Sequence, residues 1–464
     1  MSLPVVDRRG PGRVVVVGGG LSGIAAGLEC ARAGASVTLI ESRGRLGGAA
    51  YSFDRHGIHA DNGQHIFLRC CTAYRELLEE IGATHMVTLQ PRLDIPILAP
   101  GGRRARLRRS GLPAPLHLTR ALTGYRLLSL GERLSVVRAM RALGSVNVDD
   151  PAVDARSFGD WLAEHGQDER AVEAIWSLIC RPTVNLSVED ASLAQAAQVF
   201  QVGLLGEASA GDVGHAIVPL SEIHDRAAGL ALQRAGVHVM LRHGATALRA
   251  GRGGFSIEVS GAPTLEADVL VLAVSPDRAA RLLPAEAGVS GAGLERLGSS
   301  PIVNLHVVYD RRVLDEPFAA GVYTPVQWVF DRTAGSGVRA GQYLAVTLSA
   351  ADEELEMAVD DLRARYLPAL ADLLPAAGSA EVREFFVTRE HSATFRATPG
   401  ARALRPGPRT QLPGLALAGT WTDTGWPATM ESAVRSGRAA GREAISALSL
   451  RADRETDVRV KEVV

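Results

Sequence analysis

The sequence predicts an α/β fold in which a Rossmann-like dinucleotide-binding domain is interleaved with a second, α+β domain. Two stretches near opposite ends of the chain carry this prediction: VVVVGGGLSG begins at Val14, and LALAGTWTDTGWPATMESAVRSG begins at Leu415. The first has the strand, glycine turn and helix of a dinucleotide site. A one-segment nicotinamide domain does not need the second, whereas a flavoprotein that folds back to close an FAD site does.

The N-terminal stretch has the pattern of a strand, a turn and a helix. Its valines at 14–17 form the apolar β-branched run expected of a parallel strand buried on both faces. Gly18, Gly20 and Gly23 follow at G-x-G-x-x-G spacing, which suits a tight turn, close approach to a diphosphate and close helix packing. We expect the helix to continue to Arg32 and to bind the diphosphate at its N-terminus, where free N–H groups favour an anion.

A second strand and an acidic residue complete this unit. The apolar run at 37–40 ends at Glu41, which lies 18 residues after Gly23. This is close to the distance at which a carboxylate binds the ribose hydroxyls of a dinucleotide. The order of strand, turn, helix, strand and acid argues against a glycine turn without a ligand.

Composition indicates the size of the core, the charge and the expected location of the protein. A chain of 464 residues with 46% hydrophobic content suggests a large core and two domains, and the net charge of −1 implies no global attraction to nucleic acid. No apolar run approaches the ~20 residues that span a bilayer, and the first dozen residues lack a signal-peptide core. We therefore expect a cytoplasmic protein. The four cysteines give neither a disulfide framework nor a metal spacing, so we expect no metal site; they are Cys30, Cys70, Cys71 and Cys180.

Hydrophobic patterns further along the chain predict the remaining elements. We expect helices at 72–81, in GDWLAEHG up to Gly166, in VEAIWSLICRP up to Pro182, and at 353–374. Alternating apolar residues predict strands between Val237 and Val274, in PIVNLHVVYD and in QYLAVTLS. The segments assigned to the cofactor domain are 12–100, 225–299 and 399–448, those assigned to the substrate- and membrane-facing domain are 101–224 and 300–398, and the charged tail predicted to be disordered is 449–464.

The segment 101–141 stands apart in charge. It carries ten arginines against one acid, Glu132, with leucines interspersed. This profile is typical of a basic amphipathic helix lying on an anionic membrane surface. An ordinary helix with a solvated face and a core-facing leucine stripe accounts for it equally well. Nucleic-acid binding fits poorly, because aromatic residues that could stack on bases are nearly absent there.

Four sequence blocks resemble one superfamily. The E-x-R-x-R-x-G-G string at 41–48 resembles the second FAD-contacting signature of the flavin amine oxidases and phytoene desaturases. Within that superfamily the chain most resembles the hydroxysqualene dehydroxylases, also called squalene-associated FAD-dependent desaturases, of bacterial hopanoid pathways. The matching residues are DNGQH at 61–65, ATFRATPG at 393–400, and WTDTGWPATMESAVRSG at 421–437. The resemblance implies an FAD-binding Rossmann-like domain of the glutathione-reductase type 2 class.

The resemblance also implies non-covalent FAD and a set of contacts. The cofactor-binding residues expected from these motifs are Gly18, Gly20, Leu21, Ser22, Gly23, Glu41, Ser42, Arg43, Gly47, Gly48, Ala49, Gly63, Gln64, Ala245, Gly419, Thr420, Ala428, Thr429 and Met430. The helix expected from Pro427 should point its N-terminus at the flavin pyrimidine, where its N–H groups stabilise negative charge. One departure is Gly419-Thr420, where relatives usually carry Gly-Asp.

Three functions are consistent with these motifs. The first is hydroxysqualene dehydroxylation to squalene, the second is carotenoid-type desaturation, and the third is a non-catalytic FAD-dependent membrane-binding protein. The first two imply an isoprenoid lipid substrate and a peripheral position on the inner face of the cell membrane. Amine oxidation ranks lower, because the only lysine is Lys461, and because Thr429 occupies the position of an aromatic-cage tyrosine.

The family resemblance places the loop 61–65 near the flavin. Loss of a hydroxyl group from an allylic carbon needs an acid that protonates the departing oxygen. Asp61 and His65 are the titratable residues that motif position offers, and a histidine titrating near neutral pH suits the task. We therefore predict His65 as the acid, with Asp61 orienting or charging it. The alternative is that Asp61 only caps this turn and His65 only packs against FAD.

Overall fold

The fold is built on one parallel and one mostly antiparallel sheet. The computed structural model describes the backbone of residues 12–251 and 253–463, and side chains as far as Arg451. The strands are β1 Arg13–Val17, β2 Ser36–Glu41, β3 Ser52–Arg55, β4 Ile58–Asp61, β5 Ile66–Leu68, β6 Val87–Leu89, β7 Asp94–Ala99, β8 Arg103–Arg108, β9 Val213–Ala216, β10 His238–Leu241, β11 Ala245–Gly251, β12 Gly254–Val259, β13 Leu265–Ala267, β14 Val269–Leu272, β15 Ser300–Tyr309, β16 Phe318–Gly321, β17 Trp328–Asp331, β18 Gln342–Ser349, β19 Val382–Thr394 and β20 Leu415–Leu417.

Helices lie around and between these sheets. The α-helices are α1 Leu21–Arg32, α2 Thr72–Glu80, α3 Thr119–Thr123, α4 Leu130–Leu143, α5 Pro151–Asp154, α6 Phe158–Glu164, α7 Glu169–Ala171, α8 Leu178–Val184, α9 Leu193–Phe200, α10 Ala228–Arg234, α11 Pro276–Leu282, α12 Gly291–Arg296, α13 Asp352–Glu356, α14 Val359–Leu373 and α15 Met430–Val463. Segments of π-helix lie at Val172–Ser177, Gln201–Gly206 and Glu222–Ala227. Within the described residues, no helix is both long and apolar enough to cross a membrane.

The cofactor domain is organised on a five-stranded parallel sheet in the order β10-β2-β1-β14-β20. Its strands come from three separated parts of the chain, and the two end motifs supply β1 and β20. The valines of β1 are at most 3% exposed, which confirms a strand buried on both faces. Helices α1 and α15 pack closely against each other, since a Cβ added at Gly437 would lie 2.1 Å from the carbonyl oxygen of Ser22.

The second domain is organised on a seven-stranded sheet in the order β19-β15-β18-β17-β16-β7-β8. One face of its central strands is aliphatic and packs against α14. Residues of alternate register lie on the other face, where Asn304 of β15 is opposite Thr388 of β19 and Thr347 of β18. Asn304 donates a hydrogen bond to the carbonyl oxygen of Asn62 (2.9 Å), so this second face meets the loop that follows β4.

The structure differs from the sequence predictions at several element ends. The expected domain boundary at residue 100 falls inside the hairpin β7–β8, which belongs wholly to the second sheet. Helix α8 continues past Pro182 to Val184, and the single helix expected at 353–374 is two helices that break before Val359. The backbone of α15 is helical through most of 449–464, where the charged composition predicts disorder. Arg, Glu and Lys are good helix formers, which accounts for this continuation.

The arginine-rich segment is not one amphipathic helix. It comprises strand β8, a 3₁₀ turn at Leu116–Leu118, and helices α3 and α4. The alternation in RRARLR favours a strand, and proline and glycine separate the later pieces. Helix α4 nevertheless carries a short exposed apolar stripe. Its residues Leu130, Leu134 and Val137 lie at helical spacing and are 74%, 59% and 47% exposed.

One arginine of this segment, Arg109, stabilises the fold through a buried carboxylate. Arg109 donates to both carboxylate oxygens of Asp212 (2.6 and 2.9 Å), and Arg69 donates to the same group (2.9 Å). The Leu93 N–H also donates to Asp212 (2.7 Å), which links the start of β9 to the segment that leads into β7 of the second sheet. Burial raises the pKa of Asp212, but the hydrogen bonds from Arg109 and Arg69 outweigh burial and hold it below the usual value of 3.8.

We expect Asp212→Asn to lower the free energy of unfolding at pH 7 by roughly 3–5 kcal/mol, because it leaves two arginines without their buried partner. Since the folded-state pKa is depressed, the stabilisation is present above the unfolded pKa and is lost as pH falls through the folded pKa. Urea titrations at pH 7 and at pH 3 should therefore show a smaller difference between variant and wild type at pH 3. Glu222→Gln, which removes an exposed pair with Arg226, is the control, and an equally small loss in both variants would contradict the prediction.

Candidate active site

The turn between β1 and α1 leaves room for a ligand only through its glycines. Gly18 has a φ of +112°, and a Cβ at Gly23 would lie 1.8 Å from the Gly18 carbonyl oxygen. Gly20 is different, since its φ is −73° and the nearest atom to an added Cβ is the Gly48 Cα at 3.7 Å. Gly18 and Gly23 are thus required by the turn itself, whereas Gly20 keeps the space beside the turn open. Leu21 and Ser22 follow as the buried first residues of α1.

Glu41 lies at the end of β2 with its carboxylate fixed by the backbone. The Gly19 N–H donates to Oε2 (2.7 Å), and the Arg43 N–H donates to Oε1 (2.7 Å). Ser42 also donates to Oε1 (3.1 Å). Each carboxylate oxygen can accept more than one hydrogen bond, so Glu41 retains capacity for ribose hydroxyls next to the glycine turn.

The predicted residue Ala245 is brought to the same place. The His243 N–H donates to the carbonyl oxygen of Glu41 (2.8 Å), and the position of a Cβ at Gly244 is 3.1 Å from the Ser42 Cβ. Ala245 follows as the buried first residue of β11. The three chain segments that hold Gly20, Glu41 and Ala245 therefore meet at the carboxyl ends of the parallel strands, where ligands bind in open α/β sheets.

The loop 47–49 packs directly on the glycine turn. The Gly47 N–H donates to the Gly19 carbonyl oxygen (2.9 Å), and Gly48 has a φ of +59° with no space for a Cβ, which would lie 2.8 Å from the Gly20 Cα. Only glycines at both positions allow this backbone contact.

Arg45 is absent from the predicted contacts, although the structure places it in this loop. Its Nη1 donates to the Gly48 carbonyl oxygen (3.0 Å), and its guanidinium lies 3.6 Å from the centre of the Tyr51 ring. Its Nη2 is buried without a partner among the described residues. Burial lowers the pKa of Arg45, and the neighbouring Arg43 lowers it further. A buried guanidinium with a free donor indicates an anionic or acceptor group of a ligand.

Gly63 and Gln64 lie where the cofactor domain meets the second sheet. A Cβ at Gly63 would be 3.4 Å from the Asn304 Nδ2 and 3.7 Å from the His65 Nε2. The Gln64 Nε2 is buried without a partner in the described part of the chain. The loop therefore combines backbone space with an unsatisfied donor, which fits its predicted role beside a flavin.

The C-terminal motif forms strand β20, the loop that follows it and the start of helix α15. Thr429 caps α15, because its Oγ1 accepts from the Ser432 N–H (3.2 Å), and the helix therefore begins at Met430 rather than at Pro427. Ala428 is partly buried against the larger apolar core. The Gly419 N–H donates to the Ser436 Oγ (3.0 Å), which links the predicted residues Gly419 and Thr420 to the same helix.

Arg405 is a second residue that the motifs do not reveal. It is 5% exposed, and its Nη2 donates to the carbonyl oxygens of Thr420, Thr422 and Trp426 at 3.2, 2.7 and 2.9 Å. Burial lowers the pKa of Arg405 to about 10. This side chain holds the loop between β20 and α15 in shape and thereby positions Thr420 and the N-terminus of α15.

Asp61 has a different role from the predicted one. Its Oδ1 accepts from the Ser52 hydroxyl (2.6 Å) and the Leu220 N–H (3.0 Å), and its Oδ2 accepts from the Arg332 Nη2 (2.7 Å). It is 5% exposed and makes no hydrogen bond to His65 among the described contacts. Asp61 is an ion-paired structural carboxylate, so the expectation that it orients His65 is corrected. Sequence spacing could not show this, because Arg332 is 271 residues away.

His65 lies at the site but is poorly suited to donate a proton. Burial lowers its pKa, although the carboxylates of Asp61 and Glu390 act in the opposite direction. A histidine shifted downwards is mostly neutral at pH 7. His65 shares a pocket with Gln64, His215 and Phe330, which places it beside the polar and aromatic face of the second sheet.

The residues present fit FAD. The open space beside Gly20, the backbone-fixed carboxylate of Glu41 and the free donor of Arg45 suit the ribose and diphosphate. The loops at 47–49 and 63–64 and the start of α15 then surround the place left for the flavin. FAD would be held by the predicted residues together with Arg45, while Arg405 supports the loop between β20 and α15.

Comparison with known proteins agrees with this site. A family model for flavin containing amine oxidoreductases matches residues 21–445. Hydroxysqualene dehydroxylase of Rhodopseudomonas palustris is 30% identical over 455 residues, which cover 92% of this chain and 97% of that protein. Zeta-carotene desaturase of Arabidopsis thaliana is 24% identical over 477 residues, covering 94% and 86%. Cyclohexylamine oxidase from Brevibacterium oxydans has a similar solved structure, with a TM-score of 0.70, 19% identity, and coverage of 95% and 100%.

The chain belongs to the flavin-containing amine oxidoreductase family. It is an FAD-dependent oxidoreductase with a Rossmann-like FAD domain and a substrate domain, which confirms the predicted fold class and cofactor.

We expect Gly20→Ala to fold normally yet to weaken FAD binding at least about tenfold, equivalent to 1.4 kcal/mol, because the methyl group would occupy the approach to the diphosphate. Gly23→Ala should also destabilise the apoprotein, since its Cβ has no space in the turn. Flavin absorbance after desalting, FAD titration of apoprotein and apoprotein melting temperatures separate the two effects. Wild-type FAD affinity in Gly20→Ala would contradict this assignment.

Proposed function

We propose that this protein removes the hydroxyl group of hydroxysqualene to give squalene, in squalene and hopanoid biosynthesis. The observation that carries the proposal is the similarity over nearly the whole chain to hydroxysqualene dehydroxylase of Rhodopseudomonas palustris, at 30% identity. A second such relative, from Sinorhizobium fredii, is 38% identical over 181 residues, which cover 39% of each chain.

The character of the second domain supports an apolar substrate. Phe318, Trp328 and Phe330 pack together on the strands that lead to His65, with ring centroids 6.0–6.2 Å apart. They belong to one apolar core that also includes Tyr125, Leu127 and Leu128, buried residues of the arginine-rich segment. Phe330 of this core lines a pocket together with His65, and an apolar aromatic wall there suits an isoprenoid chain.

The residues of the site have separable tasks in this reaction. When bound, reduced FAD would supply the hydride that replaces the hydroxyl group. The glycine turn and Glu41 would hold its adenosine end, and Asn304 fixes the loop at Gly63 against the second sheet through the Asn62 carbonyl oxygen. The apolar walls exclude water, which protects an electron-deficient allylic carbon from attack by solvent.

Desaturation of a carotenoid is the second candidate. Zeta-carotene desaturases match 92–95% of this chain at 23–25% identity. Both substrates are long isoprenoids and would use similar walls. The two functions differ in the direction of electron flow, since a desaturase removes hydride and needs oxidised flavin.

We expect dithionite-reduced protein to convert hydroxysqualene to squalene in a single anaerobic turnover, with one flavin reoxidised for each squalene formed. Gas chromatography with mass detection measures the product, and flavin absorbance measures reoxidation. Oxidised protein with zeta-carotene or phytoene is the parallel test. Desaturated product without squalene would favour the second candidate, and FAD binding without either product would favour a non-catalytic role.

Membrane association forms part of the proposal. Leu130, Leu134 and Val137 form an exposed stripe on α4, which we call the α4 stripe. Arg120, Arg126, Arg138 and Arg141 lie in the same segment, exposed and without carboxylate partners in the described part of the chain. An apolar stripe among arginines complements an anionic lipid surface, where an isoprenoid substrate would be dissolved.

We expect the protein to bind phosphatidylserine vesicles and to leave them as salt rises, with each surface arginine contributing about 1 kcal/mol. The double variant Leu130→Ser, Leu134→Ser should bind more weakly because it removes two exposed apolar side chains that would insert into the lipid surface. Leu230→Ser, which changes a leucine of similar exposure on α10, is the control. Equal sedimentation with neutral and anionic vesicles, or none with either, would contradict the proposal.

A further inference from the structure

Dehydroxylation needs a proton for the departing oxygen, and the predicted pair does not provide one. Asp61 is ion-paired with Arg332, and burial lowers the pKa of His65. Another carboxyl group, that of Glu390, lies close enough to His65 for its charge to act on the pKa of that histidine. We propose that Glu390 is the acid that protonates the leaving hydroxyl group; this inference rests on the proposed function.

The contacts of Glu390 place it between the two loops that face the flavin site. Its Oε1 accepts from the Asn62 Nδ2 (3.0 Å) and from the Tyr51 hydroxyl (3.2 Å). Asn62 also donates to the Ala49 carbonyl oxygen (2.8 Å) and precedes Gly63. Glu390 is therefore fixed to the loop at 47–49 and to the loop at 63–64 at once.

The sheet register gives the direction of the side chain. Glu390 lies two residues after Thr388 on β19, so both side chains lie on the same face of the strand. Thr388 donates to the Asn62 carbonyl oxygen (3.1 Å), which confirms that this face meets the flavin-facing loop. Glu390 is half-buried, and its Oε2 has no hydrogen-bond partner in the described part of the molecule. One oxygen is anchored, and the other is available to a substrate.

The transfers of proton and hydride balance when Glu390 acts as the acid. The protonated carboxyl group gives its proton to the hydroxyl oxygen, the carbon–oxygen bond breaks, and water leaves. The new carbon–hydrogen bond takes its two electrons and its hydrogen as hydride from reduced flavin, so the carbon is reduced and the flavin oxidised. The remaining carboxylate is reprotonated by solvent after product release.

Glu390→Gln separates an acid from a structural anchor. Glutamine keeps an oxygen that can accept from Asn62 and Tyr51, but it has no acidic proton. We expect normal FAD content, a near-normal flavin spectrum and hydroxysqualene affinity within about threefold of wild type. The single-turnover rate of squalene formation should fall roughly 10²-fold or more.

An activated substrate tests the role directly. The acetate ester of the same allylic alcohol loses a carboxylate, which leaves without a proton from the enzyme. Glu390→Gln should therefore react with the ester at a rate close to that of wild type. Glu384→Gln, the same change on the same strand where the carboxylate faces Arg55 and His56, should behave as wild type with both substrates.

Three results would overturn the inference. A near-normal rate of Glu390→Gln with hydroxysqualene would show that the proton comes from elsewhere. Equal slowing with the alcohol and the ester, or loss of FAD, would show that Glu390 only supports the loops. Wild-type protein that forms no squalene from hydroxysqualene would overturn the proposed function itself, and the acid role with it.

Discussion

The backbone contact between the β1–α1 turn and the loop at 47–49 is the constraint on which the site depends. Gly20 and Gly48 approach so closely that a Cβ at Gly48 would lie 2.8 Å from the Gly20 Cα. The contact is held by the Gly47 N–H on the Gly19 carbonyl oxygen, while Glu41 binds the Gly19 N–H. One residue, Gly19, thus links the glycine turn, the predicted ribose-binding acid and the loop at 47–49.

From this contact the site extends to the second domain through backbone groups. The loop from Ala49 to Gly63 is tied together by Asn62, whose side chain bonds to Ala49, Tyr51 and Glu390. The Asn62 carbonyl oxygen accepts from Asn304 and Thr388 of the second sheet. Asn62 is 2% exposed, and an unpaired polar group would be costly there. The relative position of flavin loop and substrate sheet is therefore set by satisfied hydrogen bonds.

Local patterns were sufficient to predict the cofactor domain. The valines of β1, the glycine spacing and the position of Glu41 are properties of one continuous segment, so the sequence displays them directly. The roles of Asp61 and of the proposed acid Glu390 could not be predicted in the same way, since their environments depend on residues distant in the sequence. Asp61 is neutralised by Arg332, and Glu390 reaches the site because β19 pairs with β15. Arg45 was visible in the motif, but only its buried Nη2, which has no partner among the described residues, shows that it is more than a solvated loop charge.

The same geometry explains why two kinds of relatives resemble this chain. Dehydroxylation adds a hydride to an allylic carbon and gives a proton to the departing oxygen, whereas desaturation removes a hydride and a proton from neighbouring carbons. Both reactions need a hydride acceptor or donor on one side of an apolar chain and one proton-transfer group on the other. In the mechanism proposed above, the Glu390 carboxyl group fixed by Asn62 and Tyr51 would serve as the acid in the first reaction, and the same group would be placed to act as the base in the second. The redox state of the flavin and the presence of a leaving oxygen then decide which reaction proceeds, while the protein framework stays the same.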